Sequence, residues 1–218
     1  MWTDKTARKT IIKLQQDFSI QTVIETGTYK GANAEWLRSV FPFVYTVEIN
    51  LDYCKIAEDR LIHSGFTNWQ IVHDDSPSFL SQMVKNNGFY FFYLDAHFYD
   101  PSRKQKWVVI DELKALEGFG DCIIAIHDFD NGVFDHLIYD GEHLGWNVVH
   151  EHIRNVNPNF FYYTNTECDI YTEETIEGLT VDETILDNLR RYKGKDKRGI
   201  LYAVPRELDL SKYKLREL

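Results

Sequence analysis

Short apolar runs of the kind that form β-strands alternate with amphipathic helical stretches along the first 130 residues. A lead-in helix is expected over residues 4–18, because its apolar side chains recur at helical spacing. Five strand-like runs follow, separated by turns and helical stretches, at residues 22–25, 44–47, 68–72, 89–94 and 122–126. The last two runs are apolar at nearly every position, which is typical of central parallel strands covered by helices on both faces.

The last third of the chain is less regular. Helices are expected at residues 146–153 and 181–192, and strands at residues 160–163 and 199–204. The whole pattern predicts an α/β, Rossmann-like, doubly wound and mostly parallel sheet of seven strands, with helices on both faces and an antiparallel last strand. We expect one domain over residues 1–218, made of the lead-in helix (1–20), a cofactor-binding core (21–131) and a substrate-side region with the final strands (132–218).

Composition narrows the classes of function. The chain has 218 residues and a formal net charge of −10, which disfavours a general nucleic-acid binder. A basic stretch at 190–198 is interpreted as a solvated loop or, alternatively, as a ligand-binding patch. No apolar run approaches the roughly 20 residues that a membrane helix needs, so we expect a cytoplasmic protein without a membrane segment. Three widely spaced cysteines fit neither a disulfide framework nor a zinc module.

Candidate chemistry stands where each predicted strand ends. Parallel strands finish at the same edge of a sheet, and doubly wound sheets bind ligands there. The residues in question follow the five strands in order: Glu25, Gly27, Thr28 and Gly31; Glu48; Asp75 and Ser76; Asp95 and His97; His127, Asp128 and Asn131. The sequence therefore predicts one polar site built from five separate segments.

The first two strand ends predict how a ligand would be held. Gly27 and Gly31 allow a sharp turn and a close approach of the backbone to a ligand, although such a pair is also common in purely structural turns. Their spacing is not the G-x-G-x-x-G of dinucleotide-binding turns, which argues against NAD and FAD. Glu48 can accept both hydrogen bonds of a ribose diol, or can simply stabilise the start of the next helix.

These strand ends, taken in order, resemble the class I S-adenosylmethionine-dependent methyltransferases over residues 22–131. The resemblance implies that the segment from Glu25 to Gly31, including Thr28, forms the cofactor turn. It further implies that Glu48 binds the ribose and that Asp75 accepts from the adenine amino group. Asp74 and Ser76 are alternatives for the adenine contact. Ser76 can instead be the helix N-cap, and Asp75 can likewise be only a capping carboxylate. Asp95 would border the cofactor.

The ends of the fourth and fifth strands carry the groups for catalysis. Asp95 and His97 lie two positions apart on one face of an extended chain, and Asp128 stands on the neighbouring strand, where it could share a divalent cation with Asp95. This part resembles the metal-dependent O-methyltransferases, particularly the macrocin O-methyltransferase and cephalosporin hydroxylase branch. The resemblance implies Mg²⁺ bound by Asp95, Asp128 and Asn131. The sequence departs from catechol-type members, since His127-Asp128 stands where they have Asp-Asn.

Methyl transfer to a hydroxyl requires that the oxygen be activated. Either Mg²⁺ lowers the pKa of the hydroxyl, or His97 or His127 removes its proton, and each histidine could equally be a structural residue. The Asn/Asp-Pro-Pro-Tyr/Phe stretch of amino-methylating relatives is absent after the fourth strand. The expected acceptor is therefore a hydroxyl of a small molecule or sugar. Alternatives are a hydroxylase-like reaction on the same fold, or a non-catalytic module that binds the cofactor or a partner. An oligomer is compatible with the sequence.

Overall fold

The computed structural model describes residues 4–83, 88–98, 105–170 and 197–218. Within these ranges the chain begins with helix α1 (Lys5–Asp17), and β-strands then alternate with helices up to the fifth strand. The order is β1 (Thr22–Thr26), α2 (Ala32–Leu37), β2 (Phe43–Glu48), α3 (Leu51–His63), β3 (Trp69–His73), α4 (Ser76–Met83), β4 (Tyr90–Leu94), α5 (Val108–Ala115) and β5 (Cys122–His127). The predicted helix at 181–192 and most of the basic stretch lie outside the described residues.

After β5, the described residues add a hairpin, one helix, three strands and a 3-10 turn. These elements are β6 (Ile138–Tyr139), β7 (Glu142–His143), α6 (Trp146–Val156), β8 (Phe161–Asn165), β9 (Ile200–Val204), a 3-10 turn (Leu210–Lys212) and β10 (Leu215–Glu217). No helix in the part of the chain that the structure describes is long and apolar enough to cross a membrane.

The main sheet of the described residues has eight strands in the order β10-β8-β9-β5-β4-β1-β2-β3. Strands β1 to β5 are parallel to one another. The other three are antiparallel to their neighbours, since β9 pairs with β5, β8 with β9 and β10 with β8. The predicted doubly wound, mostly parallel sheet with an antiparallel β9 is confirmed. The sheet has eight strands instead of the predicted seven, because the three-residue β10 has no recognisable strand pattern.

Alternation along the central strands divides the core into two layers. Ile24, Phe92 and Ile124 point to the side covered by α4, α5 and α6. Their neighbours Val23 and Phe91 point to the opposite side, where α1 and α2 pack. Since both faces are covered, the sheet buries apolar side chains at consecutive positions, which explains the continuously apolar runs. Its parallel half leaves five carboxyl ends along one edge.

Helix starts are fixed by local side-chain chemistry. The carboxylate of Asp4 accepts from the backbone N–H groups of Thr6 and Ala7, and Asn50 does the same for the first turn of α3. Helix α4 begins at Ser76, and the carbonyl oxygen of Asp75 accepts from the N–H of Phe79. The N-cap is thus Asp75, one residue before the predicted Ser76.

Candidate functional site

The loops that follow β1, β2, β3 and β4 enclose a cleft with a cavity volume of about 310 Å³. Ligand pockets in proteins start at about this size. The residues that line it are Gly27, Tyr29, Val47, Glu48, Ile49, Tyr53, Asp74, Asp75, Ser76, Asp95, Ala96, His97, Phe98 and Val108. Four of the five predicted strand ends therefore meet at one cleft, whereas the residues that follow β5 do not line it.

Gly27 brings the loop after β1 against the loop after β4. Its φ is +76°, in the left-handed region, and a Cβ atom there would lie 2.6 Å from the carbonyl oxygen of Asp95. Its N–H donates to the carbonyl of Val47, 2.9 Å away on the neighbouring strand. Only glycine fits this position, and the backbone of Gly27 forms part of the cleft wall.

The other residues of the predicted cofactor turn lie behind that wall. Gly31 has a φ of +77° at the start of α2, where a Cβ atom would lie 2.9 Å from the Cβ of Ala57 in α3. The direction in which a side chain would leave Gly31 therefore faces helix α3 and not the cleft. Thr28 is buried, and its hydroxyl contacts the hydroxyl of Thr46. Glu25 is also buried, and it accepts hydrogen bonds from Thr46 and from Asn33.

Burial changes the ionisation of Glu25. Removal from water disfavours the charged carboxylate and raises its pKa from 4.5 to about 8, although the hydrogen bonds from Thr46 and Asn33 oppose the shift. A second carboxyl, Glu112 of α5, is fully buried. Burial raises its pKa as well, with nearby Ser76 and Thr26 acting in the opposite direction. The sequence pattern did not single out Glu112, because it stands among apolar residues of an ordinary amphipathic helix.

Glu48 is held rigidly at the end of β2. One carboxylate oxygen accepts from the backbone N–H of Tyr29 at 2.8 Å, and the other accepts from the N–H of Asn50 at 2.9 Å. Each oxygen keeps lone pairs that can accept from a ligand. Tyr29 itself has a left-handed φ of 49°, and its ring packs edge-on against Tyr53 with 4.6 Å between ring centroids. These two aromatic walls were not predicted, since Tyr29 stands at a variable position of the glycine turn and Tyr53 belongs to an ordinary helical stretch.

Acidic groups dominate the polar lining of the cleft. Glu48, Asp74, Asp75 and Asp95 all border it. The carboxylate of Asp74 accepts from the N–H of Asp75 at 2.8 Å, which fixes the turn into α4. A concave site lined by one sign of charge concentrates ligands of the opposite charge. The cleft therefore favours a ligand that carries positive charge and hydrogen-bond donors.

His127 lies between two carboxylates at the ends of β4 and β5. Its Nδ1 atom is 3.2 Å from Oδ1 of Asp95 and 3.2 Å from Oδ1 of Asp128. Burial disfavours the charged imidazole, but the two carboxylates outweigh this effect and raise the pKa of His127 to about 9. The pKa of Asp128 is lowered although its burial opposes this, because His127, His97 and Arg198 favour the anion. His127 is therefore a buried cation at neutral pH.

His97 faces the cleft and is oriented by the backbone below it. Its Nε2 is 3.0 Å from the carbonyl oxygen of His127, and since a carbonyl only accepts, Nε2 carries the hydrogen. In the neutral ring the second nitrogen, Nδ1, is then an acceptor. Among the described residues, no hydrogen bond to Nδ1 is formed. Of the two candidate bases, His97 borders the cleft and His127 does not.

Asn131 does not join the carboxylates that were predicted to bind metal with it. Its side-chain oxygen accepts from the N–H groups of Val133 and Phe134, each at 3.1 Å, and its side-chain nitrogen donates to Asn165. The assignment of Asn131 as a metal ligand is thus corrected, because both ends of the amide are used to shape the loop.

The other residues of the predicted metal site, Asp95 and Asp128, fit magnesium poorly. Asp95 and Asp128 converge on the protonated nitrogen of His127, whereas Mg²⁺ requires nearly ideal octahedral coordination by oxygen atoms. With Asn131 unavailable, the imidazolium of His127 occupies the position between the two carboxylates. No step is therefore assigned to magnesium.

Comparison with known proteins supports the fold. The chain matches no protein-family model, and no curated protein is similar to it in sequence. The methyltransferase domain of a bacterial Hen1 protein has a TM-score of 0.56 at 10% identity, covering 92% of this chain and 98% of that one. A candidate O-methyltransferase from Klebsiella pneumoniae has a TM-score of 0.52 at 14% identity, covering 93% and 81%.

A third solved structure shows that this fold carries more than one chemistry. A protein from Methanobacterium thermoautotrophicum described as a precorrin 8W decarboxylase has a TM-score of 0.51 at 10% identity, covering 89% of each chain. The chain therefore has the class I methyltransferase fold. At these identities the likeness concerns the fold, and the reaction depends on the residues of the cleft itself.

Proposed function

We propose that the cleft binds S-adenosylmethionine and that the protein transfers its methyl group to a hydroxyl of a small molecule or sugar. The observation that carries the proposal is Glu48, whose two oxygens are fixed by backbone N–H groups beside the Gly27 turn and the acidic pair Asp74–Asp75. The fold alone would allow other ligands. The placement of one rigid carboxylate between two neighbouring strand ends suits a ribose with adenine on one side and a charged tail on the other.

The binding roles follow from where each group borders the cleft. Glu48 accepts from the ribose hydroxyls, and Asp75, with Asp74 as its neighbour, accepts from the adenine amino group. The backbone of Gly27 allows close contact with the amino-acid end of the cofactor. The acidic lining, with Asp95 at its far end, favours the positive sulfonium over the neutral sulfide product.

His97 is proposed as the general base. A substrate hydroxyl donates its proton to Nδ1 of His97, the oxygen forms a bond to the methyl carbon, and the carbon–sulfur bond breaks with its electron pair remaining on sulfur. The products are a methyl ether, S-adenosylhomocysteine and a proton on His97, which solvent removes. His127 and Asp128 act as positioning residues, since the His127 carbonyl orients His97 and its ring holds Asp95.

Calorimetry with S-adenosylmethionine tests the cofactor assignment. The Glu48→Ala variant should bind roughly ten- to a hundredfold more weakly, because a hydrogen bond to a charged group contributes about 1.5–3 kcal/mol. Glu58→Ala removes an exposed carboxylate from the neighbouring helix and serves as the matched control. Binding of NAD in preference to S-adenosylmethionine would refute the proposal.

Transfer of a labelled methyl group to a panel of hydroxyl compounds tests the reaction. His97→Gln should lower kcat by roughly 10²–10⁴-fold and leave cofactor affinity unchanged, because only the proton transfer is lost. Turnover that persists in excess EDTA is expected. If EDTA abolishes turnover and Mg²⁺ restores it, the carboxylates bind a metal after all. Cofactor binding without transfer to any acceptor would favour a binding module or another reaction on this fold.

A further inference from the structure

A second group of metal-ligating side chains lies outside the cleft, on the loop after β5 and on the hairpin of β6 and β7. Asp130, His136 and His143 each offer one ligand atom, and these three atoms lie within 4.8 Å of one another. Nε2 of His136 is 2.6 Å from Nδ1 of His143, and that Nδ1 is 3.3 Å from Oδ2 of Asp130. We propose that Asp130, His136 and His143 bind a divalent transition-metal ion such as Zn²⁺.

The two imidazoles meet through one hydrogen bond between their ring nitrogens. Two ring nitrogens at 2.6 Å can share a single hydrogen, because protons on both would clash. Nδ1 of His136 lies 3.2 Å from the carbonyl oxygen of Phe134, to which it donates, so its Nε2 is an acceptor. The hydrogen on Nδ1 of His143 thus faces His136 and Asp130 together. A cation that replaces this hydrogen gains three ligands at once.

The second atoms of the ligands are already held in the way that metal sites require. A ligating histidine usually donates its other N–H to a backbone carbonyl, which fixes the tautomer, and His136 does so with Phe134. The other oxygen of Asp130 accepts from the N–H of Gly132 at 2.9 Å. These contacts leave Nε2 of His136 and Oδ2 of Asp130 directed toward the third ligand.

The backbone holds the three positions together without a metal. Asp140 and Gly141 both have positive φ, as a tight hairpin turn between β6 and β7 requires, and this turn sets the pairing of Ile138 with His143. The N–H of Leu144, next to His143, donates to the carbonyl of Leu137, next to His136, at 3.0 Å. The N–H of Asp130 donates to the carbonyl of Leu144 at 2.7 Å. The site is therefore largely preformed.

Ligand chemistry and exposure define the class of ion. Two imidazoles and one carboxylate suit Zn²⁺ and neighbouring transition metals, whereas Mg²⁺ and Ca²⁺ prefer oxygen. The side chains of His143, Asp130 and His136 are 49%, 27% and 17% exposed, so the site is open on its solvent side. Three protein ligands with an open position are the arrangement of zinc sites that also take water or a substrate.

The site also has a structural connection to the cleft. The ring of Tyr139 in the same hairpin stacks on Trp107 at 4.5 Å, and Trp107 donates from Nε1 to Glu142 at 2.8 Å. Trp107 directly precedes Val108, which lines the cleft. A bound ion would fix the hairpin, which packs beside the N-terminus of α5.

Metal titration of the full chain, without a histidine tag and after removal of metals by chelation and dialysis, tests the proposal. We expect one equivalent of Zn²⁺ or Co²⁺ to bind, with a visible tetrahedral Co²⁺ spectrum and no competition from Mg²⁺. His143→Ala and Asp130→Asn should each weaken Zn²⁺ binding by at least about tenfold. Zn²⁺ should raise the Tm of the wild-type chain and leave the Tm of His143→Ala unchanged.

Two control variants separate this site from other binding. His63→Ala removes an exposed histidine of α3, and Asp95→Asn removes a ligand of the cluster around His127; both should retain wild-type affinity. Since His143 is half exposed, circular dichroism should show a folded His143→Ala variant. Zn²⁺ binding that survives His143→Ala but is lost in Asp95→Asn would overturn the proposal, as would the absence of binding by the wild-type chain. The result is independent of whether S-adenosylmethionine binds.

Discussion

Burial of the Glu25 carboxyl lowers the stability of the folded protein at neutral pH. The carboxyl is almost completely removed from solvent, and burial raises its pKa from 4.5 to about 8. Between these two values the folded chain holds a proton that the unfolded chain has released. Stability therefore falls as the pH rises from about 4.5 to 8, because folding at higher pH requires proton uptake.

Replacing this carboxyl with an amide should remove the cost. We expect Glu25→Gln to stabilise the protein by roughly 1–3 kcal/mol at pH 7 and to have little effect at about pH 3, below both pKa values, where the native side chain is neutral in the folded and the unfolded chain. The hydroxyl of Thr46 can reverse its hydrogen bond toward Thr28 and so accommodate the amide. Urea unfolding at the two pH values measures the difference. A gain that is the same at both values, or one matched by Glu58→Gln, would contradict this account.

At the residue scale the sequence predicts position better than orientation. Glu48, Asp75, Asp95 and His97 follow strands whose ends must meet at one edge, so their presence at the cleft could be predicted. The side chain of Asn131 could not be placed in this way, because loop hydrogen bonds turn it toward Asn165. The same limit applies to Gly31, whose contact with Ala57 depends on how two helices pack.

At the scale of elements, Gly27 couples β1 to β4. The absent side chain lets the loop after β1 rest on the carbonyl of Asp95, and Asp95 in turn contacts His127 at the end of β5. Three neighbouring strand ends are thus adjusted to one another through a single glycine. A change at this position should affect stability and ligand binding together.

Gly27→Ala should cost more than the backbone strain alone. Gly65→Ala is the matched control, since Gly65 has a φ of +75° and a Cβ atom added there would meet nothing within 4 Å, and it should cost about 1–2 kcal/mol. The clash with Asp95 should add roughly 1–3 kcal/mol for Gly27→Ala. Urea unfolding compares the two variants, and calorimetry should show weaker S-adenosylmethionine binding for Gly27→Ala alone. An equal loss in the free energy of unfolding for both variants would show that the contact with Asp95 does not contribute to it.

The elements themselves could be predicted to different extents. The βα alternation up to β5 is visible because each strand is a short run rich in β-branched and aromatic residues, with β4 and β5 apolar at nearly every position, and the helices between them have apolar residues at helical spacing. The hairpin of β6 and β7 has only two residues in each strand, and β10 has three, so neither shows a period. Their existence depends on pairing partners supplied by the fold, which local sequence does not encode.

At the scale of the whole molecule, ionisation sets the pH range of stability. The pKa of His127 is raised from 6.5 to about 9 by Asp95 and Asp128 against the effect of burial. Its ion pairs are fully present below pH 6.5 and are lost as the pH rises toward 9. Glu25 contributes a loss over pH 4.5 to 8. Both groups therefore lower the stability as the pH rises through the neutral range.

We therefore expect Tm to decrease steadily from about pH 6.5 to 9. In the Glu25→Gln background, the slope between about pH 6.5 and 8 belongs mainly to His127 and should approach 1.4 kcal/mol per pH unit, the value for one proton; above this range the buried thiols, whose pKa values are also raised, add to it. Thermal and urea unfolding across this range measure the slope. His127→Gln in the same background should abolish the slope between about pH 6.5 and 8; a slope that remains there would assign it to other groups.

Gly31 against Ala57 and Gly27 against Asp95 leave no room for added atoms on the side of the cleft formed by α2, α3 and β4, whereas the hairpin has exposed positions such as Ile138. Mutations that accumulate over generations are accordingly tolerated unequally on the two sides. Descendants of this chain can therefore vary the solvent-facing side of the hairpin more readily than the two glycine positions.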